Sequence, residues 1–332
     1  MESKQKAYIG DISQLISVRT ARLCGGRAEG TLMTQVNNGC GLDVTVLPDR
    51  GMDLYQIRFD GHTMNYLSPA GIVSPAFYND VGAGFLRNFF AGFLTTCGLT
   101  NIGGPNQYKG TDYPMHGRLS NTPAQDYLAA VEQKGDTPMA VLQGTMLDAA
   151  MFYENLSLTR RIEIPYGENV IRMTDTIRNR AFTKVPYALL YHFNTGYPFL
   201  CEDTEVSIDT KQVVAREEEF AAETERWNTI AAPHDTGEIV LFHRPAVDEN
   251  GRSEYTLTNR KLGIGFTLNY DGVELDRLTQ WKMFNRGEYT MGLEPCNSTL
   301  GARAAAHEAG AVKFLEGQQE KTLTFEIRFF RV

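Results

Sequence analysis

Apolar and polar positions alternate along most of this chain, and the period is usually that of a strand. Leu42, Val44 and Val46 interleave with Asp43 and Thr45; after the turn Pro48 to Gly51 the pattern resumes at Tyr55, Ile57 and Phe59, before Asp60-Gly61. A two-residue period marks a half-buried strand, and two such runs joined by turn residues predict a hairpin. Leu156, Leu158, Arg160, Ile162 and Ile164 line one face of a longer strand, which Pro165 to Asn169 turn into Val170–Ile177. Further strands are predicted at Asp203–Ile208, Tyr255–Thr258, Leu262–Leu268, Leu278–Met283, Tyr289–Leu293 and Leu323–Phe329. Helical periodicity is scarce. Asp11–Leu23 fits either a short helix or a strand, Ser74-Pro75 is a helix-start signature, and Arg216–Trp227 is charged enough for an exposed helix or excursion. Many strands separated by turn residues predict an all-β sandwich.

The pattern intensifies at Tyr187–Pro198, an aromatic and branched run stopped by Gly196 and Pro198. Tyr187, Leu189, Tyr191 and Phe193 fall on one face, and Ala188, Leu190, His192 and Asn194 on the other. Both faces are largely apolar, as in a strand covered on both sides. A histidine and an asparagine there are costly unless hydrogen-bonded or used, and a core histidine bonded to a carbonyl is the plain alternative. Phe85–Leu94 is the most aromatic stretch, yet it holds Arg87 and Asn88. From Cys97 to Gly117 the chain is rich in Gly, Asn and Pro, which predicts a long loop of the kind that carries function.

Composition narrows the function classes. A net charge of −8 over 332 residues, with no basic stripe, argues against nucleic acid as a partner. Five scattered cysteines (Cys24, Cys40, Cys97, Cys201, Cys296) form no C-x-x-C pair, so neither a disulfide framework nor a zinc ribbon is expected. Met1–Lys6 leads into no apolar segment, and no run approaches membrane-spanning length. A cytoplasmic protein without membrane partners is expected, with a homodimer left open.

Two more stretches join the central one. Pro114-Met115-His116-Gly117-Arg118 sets a histidine in a Gly/Pro-rich loop, and Tyr289–Asn297 ends an alternating strand on Glu294 just before Pro295. A His-Gly loop, a strand end carrying His192 and Asn194 (His-x-Asn) and a Glu-Pro strand end, in that order, resemble the aldose 1-epimerase (galactose mutarotase-like) superfamily. His116 lies 76 residues before His192, and His192 lies 102 before Glu294. The match is nearest a divergent branch and extends along nearly the whole chain. The resemblance implies one β-supersandwich domain over residues 1–332, with few short helices and a concave sheet that holds a sugar.

It also implies a reaction. Anomers of an aldose interconvert by ring opening, with a base taking the anomeric proton while an acid protonates the ring oxygen. Two groups of different proton affinity on opposite sides of the hemiacetal suffice, and no cofactor is needed. By resemblance His192 is the acid, Glu294 the base and His116 a substrate contact. Asn194 is a further candidate contact. The superfamily's sugar-binding arginine would be Arg87, with Arg50 as competitor. Better-known members carry an aspartate where this chain has Thr279–Met283. Gln280 or Lys282 would stand in for it, Trp281 would stack on a pyranose, and Lys282 would suit an anionic sugar, although a solvated strand lysine is the plainer reading.

Three other readings compete. A sugar-binding sensor would use the same cleft without chemistry, since fold does not fix function. His116, His192 and Glu294 also form a two-histidine, one-carboxylate set of the kind that binds zinc or iron in an isomerase. Glycoside hydrolysis would need paired acids, for which Glu202 and Asp203 are weak candidates beside Glu294. The remaining histidines, His62, His234, His243 and His307, are expected in loops or on the surface.

Overall fold

Strands dominate because most segments present apolar residues at every second position, and each alternating run finds an antiparallel neighbour. The computed structural model describes residues 7–332; Met1–Lys6 lie outside the described residues. An eight-stranded sheet runs in the order Thr204–Ile208, Arg252–Asn259, Ile264–Asp271, Glu320–Arg331, Val170–Asn179, Asn155–Pro165, Thr137–Ala149 and Gln125–Lys134. A second sheet contains β1 (Leu94–Leu99), β2 (Val185–Gly196), β3 (Thr210–Ala215), β4 (Glu238–Pro245), β5 (Arg277–Asn285) and β6 (Glu288–Cys296). Its order is β3-β4-β5-β6-β2, with β1 on the far side of β2. Ser17–Arg22, Leu32–Asn37, Leu42–Leu47, Asp53–Phe59 and His62–Thr63 make a third. This is an all-β, galactose mutarotase-like sandwich.

One apolar cluster runs through all three sheets and includes Val44, Phe59, Ile162, Tyr191, Phe193 and Phe325. Tyr187, Leu189, Tyr191 and Phe193 of β2 enter it, with the Tyr191 and Phe325 rings 4.4 Å apart. Ala188 and Leu190 join a smaller cluster with Phe85, Cys97, Ile102 and Cys296 on the opposite face. Both faces of β2 are covered, which is why the strand is apolar on both.

Local readings are resolved in several places. Asp11–Leu23 is both things, a 3₁₀ turn at Ile12–Gln14 followed by the strand Ser17–Arg22. The loop expected from Cys97 begins inside β1 and contains a small hairpin, Asn106–Tyr108 with Thr111–Tyr113. Ser74-Pro75 starts only the short 3₁₀ turn Pro75–Phe77, and Arg216–Trp227 contains the 3₁₀ segment Glu218–Glu225. No helix among the described residues is long and apolar enough to cross a membrane.

A fully buried ion cluster lies inside the core. Arg160 reaches Asp175 at 2.7 Å and 2.9 Å, Asp53 at 3.1 Å and the Thr96 hydroxyl at 2.9 Å. The Thr96 amide donates to Asp53, and the Tyr191 hydroxyl donates to Asp175 at 2.8 Å. Asp53 comes from the third sheet, Arg160 and Asp175 from the eight-stranded sheet, and Thr96 and Tyr191 from β1 and β2. Removing the one cation leaves two carboxylates in the core without a counter-charge. Arg160→Met is expected to lower the unfolding free energy by about 3–5 kcal/mol, read from denaturant melts. An unchanged midpoint would mean the cluster carries no such constraint.

Candidate functional site

Across the second sheet, strand register lines up side chains in rows. His192 lies opposite Glu294 because Phe193 pairs with Leu293 and Asn194 with Gly292. Glu294 pairs with Thr279, and Thr279 with Phe242. The next row carries Gly292, Trp281 and Val240. Over these rows lies a cleft of about 520 Å³, with Phe85, Phe89, His116, His192, Trp281 and Glu294 among its walls.

His192 Nε2 lies 3.1 Å from Glu294 Oε1, and both side chains are nearly fully buried. Gly292 makes the contact possible: a methyl group there would lie 2.6 Å from Glu294 Oε1 and 3.2 Å from His192 Cε1. Aromatic rings wall the imidazole, with the Phe89 centroid 5.3 Å away, Trp281 at 5.4 Å and His116 at 5.9 Å. His116 is half-buried and left-handed at φ 56°, a conformation uncommon outside glycine. Its Nδ1 accepts from the Gly103 amide at 3.3 Å. The following Gly117, at φ 71°, has no room for a side chain, since a Cβ would meet the Gly98 carbonyl.

The dry surroundings favour uncharged forms. Burial, then the nearby charge of Glu238, pushes Glu294 well above the usual carboxylate range, with Arg216 pulling the other way. Burial, then His116, pushes His192 down to about 3, and burial pushes His116 down to about 4. Both shifts favour the uncharged forms, a protonated carboxyl on Glu294 and a neutral imidazole on His192.

Residues 28–329 match the sequence family described as a domain of unknown function, DUF4432. The chain belongs to that family. No curated protein matches it. Among solved structures, this DUF4432 chain is similar to a Klebsiella pneumoniae protein described as a candidate aldose 1-epimerase. That pair shares 25% identity at a TM-score of 0.91, over 96% of this chain and 86% of the other. A galactose mutarotase-like protein from Clostridium acetobutylicum gives TM-score 0.67 at 12% identity, over 96% of this chain and 100% of the other. A galactose 1-epimerase from Lactobacillus acidophilus gives 0.61 at 12% identity, over 95% of this chain and 99% of the other. The last two likenesses concern the fold alone.

Among the residues singled out from sequence, His192, Glu294, His116 and Trp281 meet at the cleft. Others do not. Gln280 and Lys282 alternate with Thr279 and Trp281, so they leave β5 on the opposite face. There Gln280 donates to the Trp227 carbonyl at 2.9 Å and contacts His243 at 3.0 Å. Lys282 is 2% exposed and is held by the Arg226 and Thr229 carbonyls and Glu223, so it is neither solvated nor near a sugar. Arg87 points outward, because the 3₁₀ turn Gly84–Arg87 directs Phe85 inward instead. Arg50 is buried elsewhere, its guanidinium bonded to the carbonyls of Ser120, Val73 and Asn88. Asn194 shares the face of His192 but lies beneath the surface, donating to the Ala91 and His192 carbonyls. His243 also departs from expectation, being buried on β4.

The arginine that does line the cleft is Arg216, immediately after β3, paired with Glu238 at 2.7 Å. Glu238 also accepts from Trp281 Nε1 at 2.9 Å, fixing the indole. The signal for Arg216 was its parity with Gln212 and Val214 on an edge strand. Among the described residues, no group of three His, Cys, Asp or Glu side chains is arranged to hold a metal ion. Gly292→Ala is expected to cost about 1–3 kcal/mol by overpacking, measured by denaturant melt. Unchanged stability would mean that the Glu294 carboxylate has space to move aside.

Proposed function

We propose that this protein interconverts the anomers of an aldose by acid–base ring opening and closure. The observation that carries the reading is the contact of His192 with Glu294 in a dry, aromatic-walled cleft. The two groups are neighbours in one row of the sheet, not opposed across the ligand as the reaction alone led one to expect. Adjacency suits the substrate, because the hydroxyl and ring oxygens of a hemiacetal share one carbon. One group takes the proton from the hydroxyl while the other delivers a proton to the ring oxygen.

A pair that shares one proton supports this exchange in both directions. The resemblance assigns the acid to His192 and the base to Glu294. Burial favours the proton on Glu294, and its transfer to His192, whose Nε2 lies 3.1 Å from Glu294 Oε1, gives the assigned state without changing the proton count. Trp281, held by Glu238, offers a flat face to a pyranose, and Arg216 and His116 offer polar contacts at its edge.

Glu294→Gln and His192→Ala are each expected to abolish anomerisation followed by polarimetry or NMR, with the fold retained. His116→Ala is expected to weaken both binding and turnover. Wild-type rates in Glu294→Gln would remove the base, and retained sugar binding without any wild-type turnover would favour a sensor.

The pH dependence follows from the same pair. A second proton is added only below about 3, where His192 charges, and the first is lost only above the raised value of Glu294. The profile of kcat/KM is therefore expected to show no inflection at the ordinary carboxylate value and to fall as pH rises through the raised value of Glu294. An inflection near the ordinary carboxylate or imidazole values, roughly 4.3 and 6.5, would mean that the pair ionises as two separate groups.

A further inference from the structure

The cleft does not end at Glu294. A second hollow of about 330 Å³ adjoins it and shares Phe242, Thr279, Leu300 and Gly301 with it. Register explains the adjacency. Arg277 pairs with Cys296 where Thr279 pairs with Glu294, so Arg277 stands on the cleft face of β5, a row before Glu294. On β4, Phe242 pairs with Thr279, which sets Arg244 on the same face beside Arg277. Two residues of strand advance about 7 Å. That is the reach of a sugar ring from its anomeric carbon to a substituent on the far side.

Both arginines line this hollow, and no acidic side chain does. Like charges opposite one another on neighbouring strands repel. The nearby counter-charge is Asp276, shared thinly among Arg244 at 3.5 Å, Lys313 at 3.6 Å and Arg277 at 3.9 Å. The Nε of Arg277 is buried and has no hydrogen-bond partner, its nearest carboxylate oxygen, Asp276 Oδ1, standing off at 3.9 Å and likewise unbonded. A buried guanidinium N–H without an acceptor is costly, and an oxyanion is its natural complement. At the other end of the cleft the one arginine, Arg216, is already paired with Glu238 at 2.7 Å, so that end offers an anion less than the second hollow does.

We propose that this hollow receives an anionic group, a carboxylate, sulfonate or phosphate, borne by an aldose whose hemiacetal lies between His192 and Glu294. The assignment rests on the anomerisation reading of the cleft and adds the class of substrate. It moves the anionic preference suggested for Lys282 to Arg244 and Arg277, the cations that share a face with Glu294.

Calorimetry with glucuronate, galacturonate and the 6-phosphates of glucose and galactose, against glucose and galactose, tests the proposal. At least one charged sugar is expected to bind 10-fold or more tightly than its neutral parent, with a preference that shrinks as salt rises. The Arg244→Gln/Arg277→Gln variant should bring that ratio toward one, while Arg244→Lys/Arg277→Lys should retain much of it and control for folding. Equal affinity for charged and neutral sugars in the wild type would overturn the assignment. Inorganic phosphate bound as tightly as a sugar phosphate would overturn it too, because the anion would then not need to be carried on a sugar. The affinity ratio is read without turnover, so it survives a failure to anomerise any sugar and separates the two ideas.

Discussion

The burial of Arg160 between Asp53 and Asp175 is the constraint on which the rest depends. A guanidinium and two carboxylates without water tolerate little displacement, because each lost hydrogen bond leaves a charged group unsatisfied. The Tyr191 hydroxyl is tied into the cluster through Asp175, which fixes Tyr191 on the core side of β2. Strand parity then dictates that His192 faces the cleft. A slip of one residue would exchange the two faces, burying the imidazole in the core and placing a phenol in the cleft. The polar cluster on one side of the sheet thus sets the register of the chemistry on the other.

The aromatic walls of the cleft have two consequences that a polar pocket could not combine. Phe89 and Trp281 present flat apolar surface, suited to the faces of a sugar ring. They also keep water from His192 and Glu294, which holds both groups in uncharged forms far from their usual titration ranges. Gly292 admits no side chain between them, so the two groups meet directly. Backbone geometry, packing and proton affinity are here settled by the same few positions.

Much of this was legible in the chain, and the limits have physical reasons. Alternation revealed the strands and both faces of β2, because a two-residue period survives any packing arrangement. His192 and Glu294 stood out as polar groups closing apolar strands, and His116 as a histidine in a glycine-rich loop. Within Thr279–Met283, Trp281 and Lys282 are adjacent, and adjacent strand residues cannot share a face. Gln280 and Lys282 went instead to the back of the sheet, where carbonyls of the 226–229 segment satisfy them. Arg216 is hard to read from sequence because its surroundings are acidic and basic by turns, masking a short edge strand whose alternation it continues by one position. Arg87 is a candidate because a cation among phenyl rings needs a partner, but a 3₁₀ turn exposes it to water, while backbone carbonyls bind its competitor Arg50.

The order of strands separates two tasks. His192 and Glu294 stand on β2 and β6, both flanked by other strands and locked by register. Arg216 follows the edge strand β3, and Arg244 lies near the end of its neighbour β4, both side chains being exposed. A change at the edge alters charge and shape along the cleft without touching the spacing of the central pair. A change in the center disturbs both. On the proposed reading, an enzyme of this architecture can therefore acquire a different sugar by substituting edge residues while its proton-transfer geometry persists, because the side chains that set charge along the cleft and those that move protons stand on different strands.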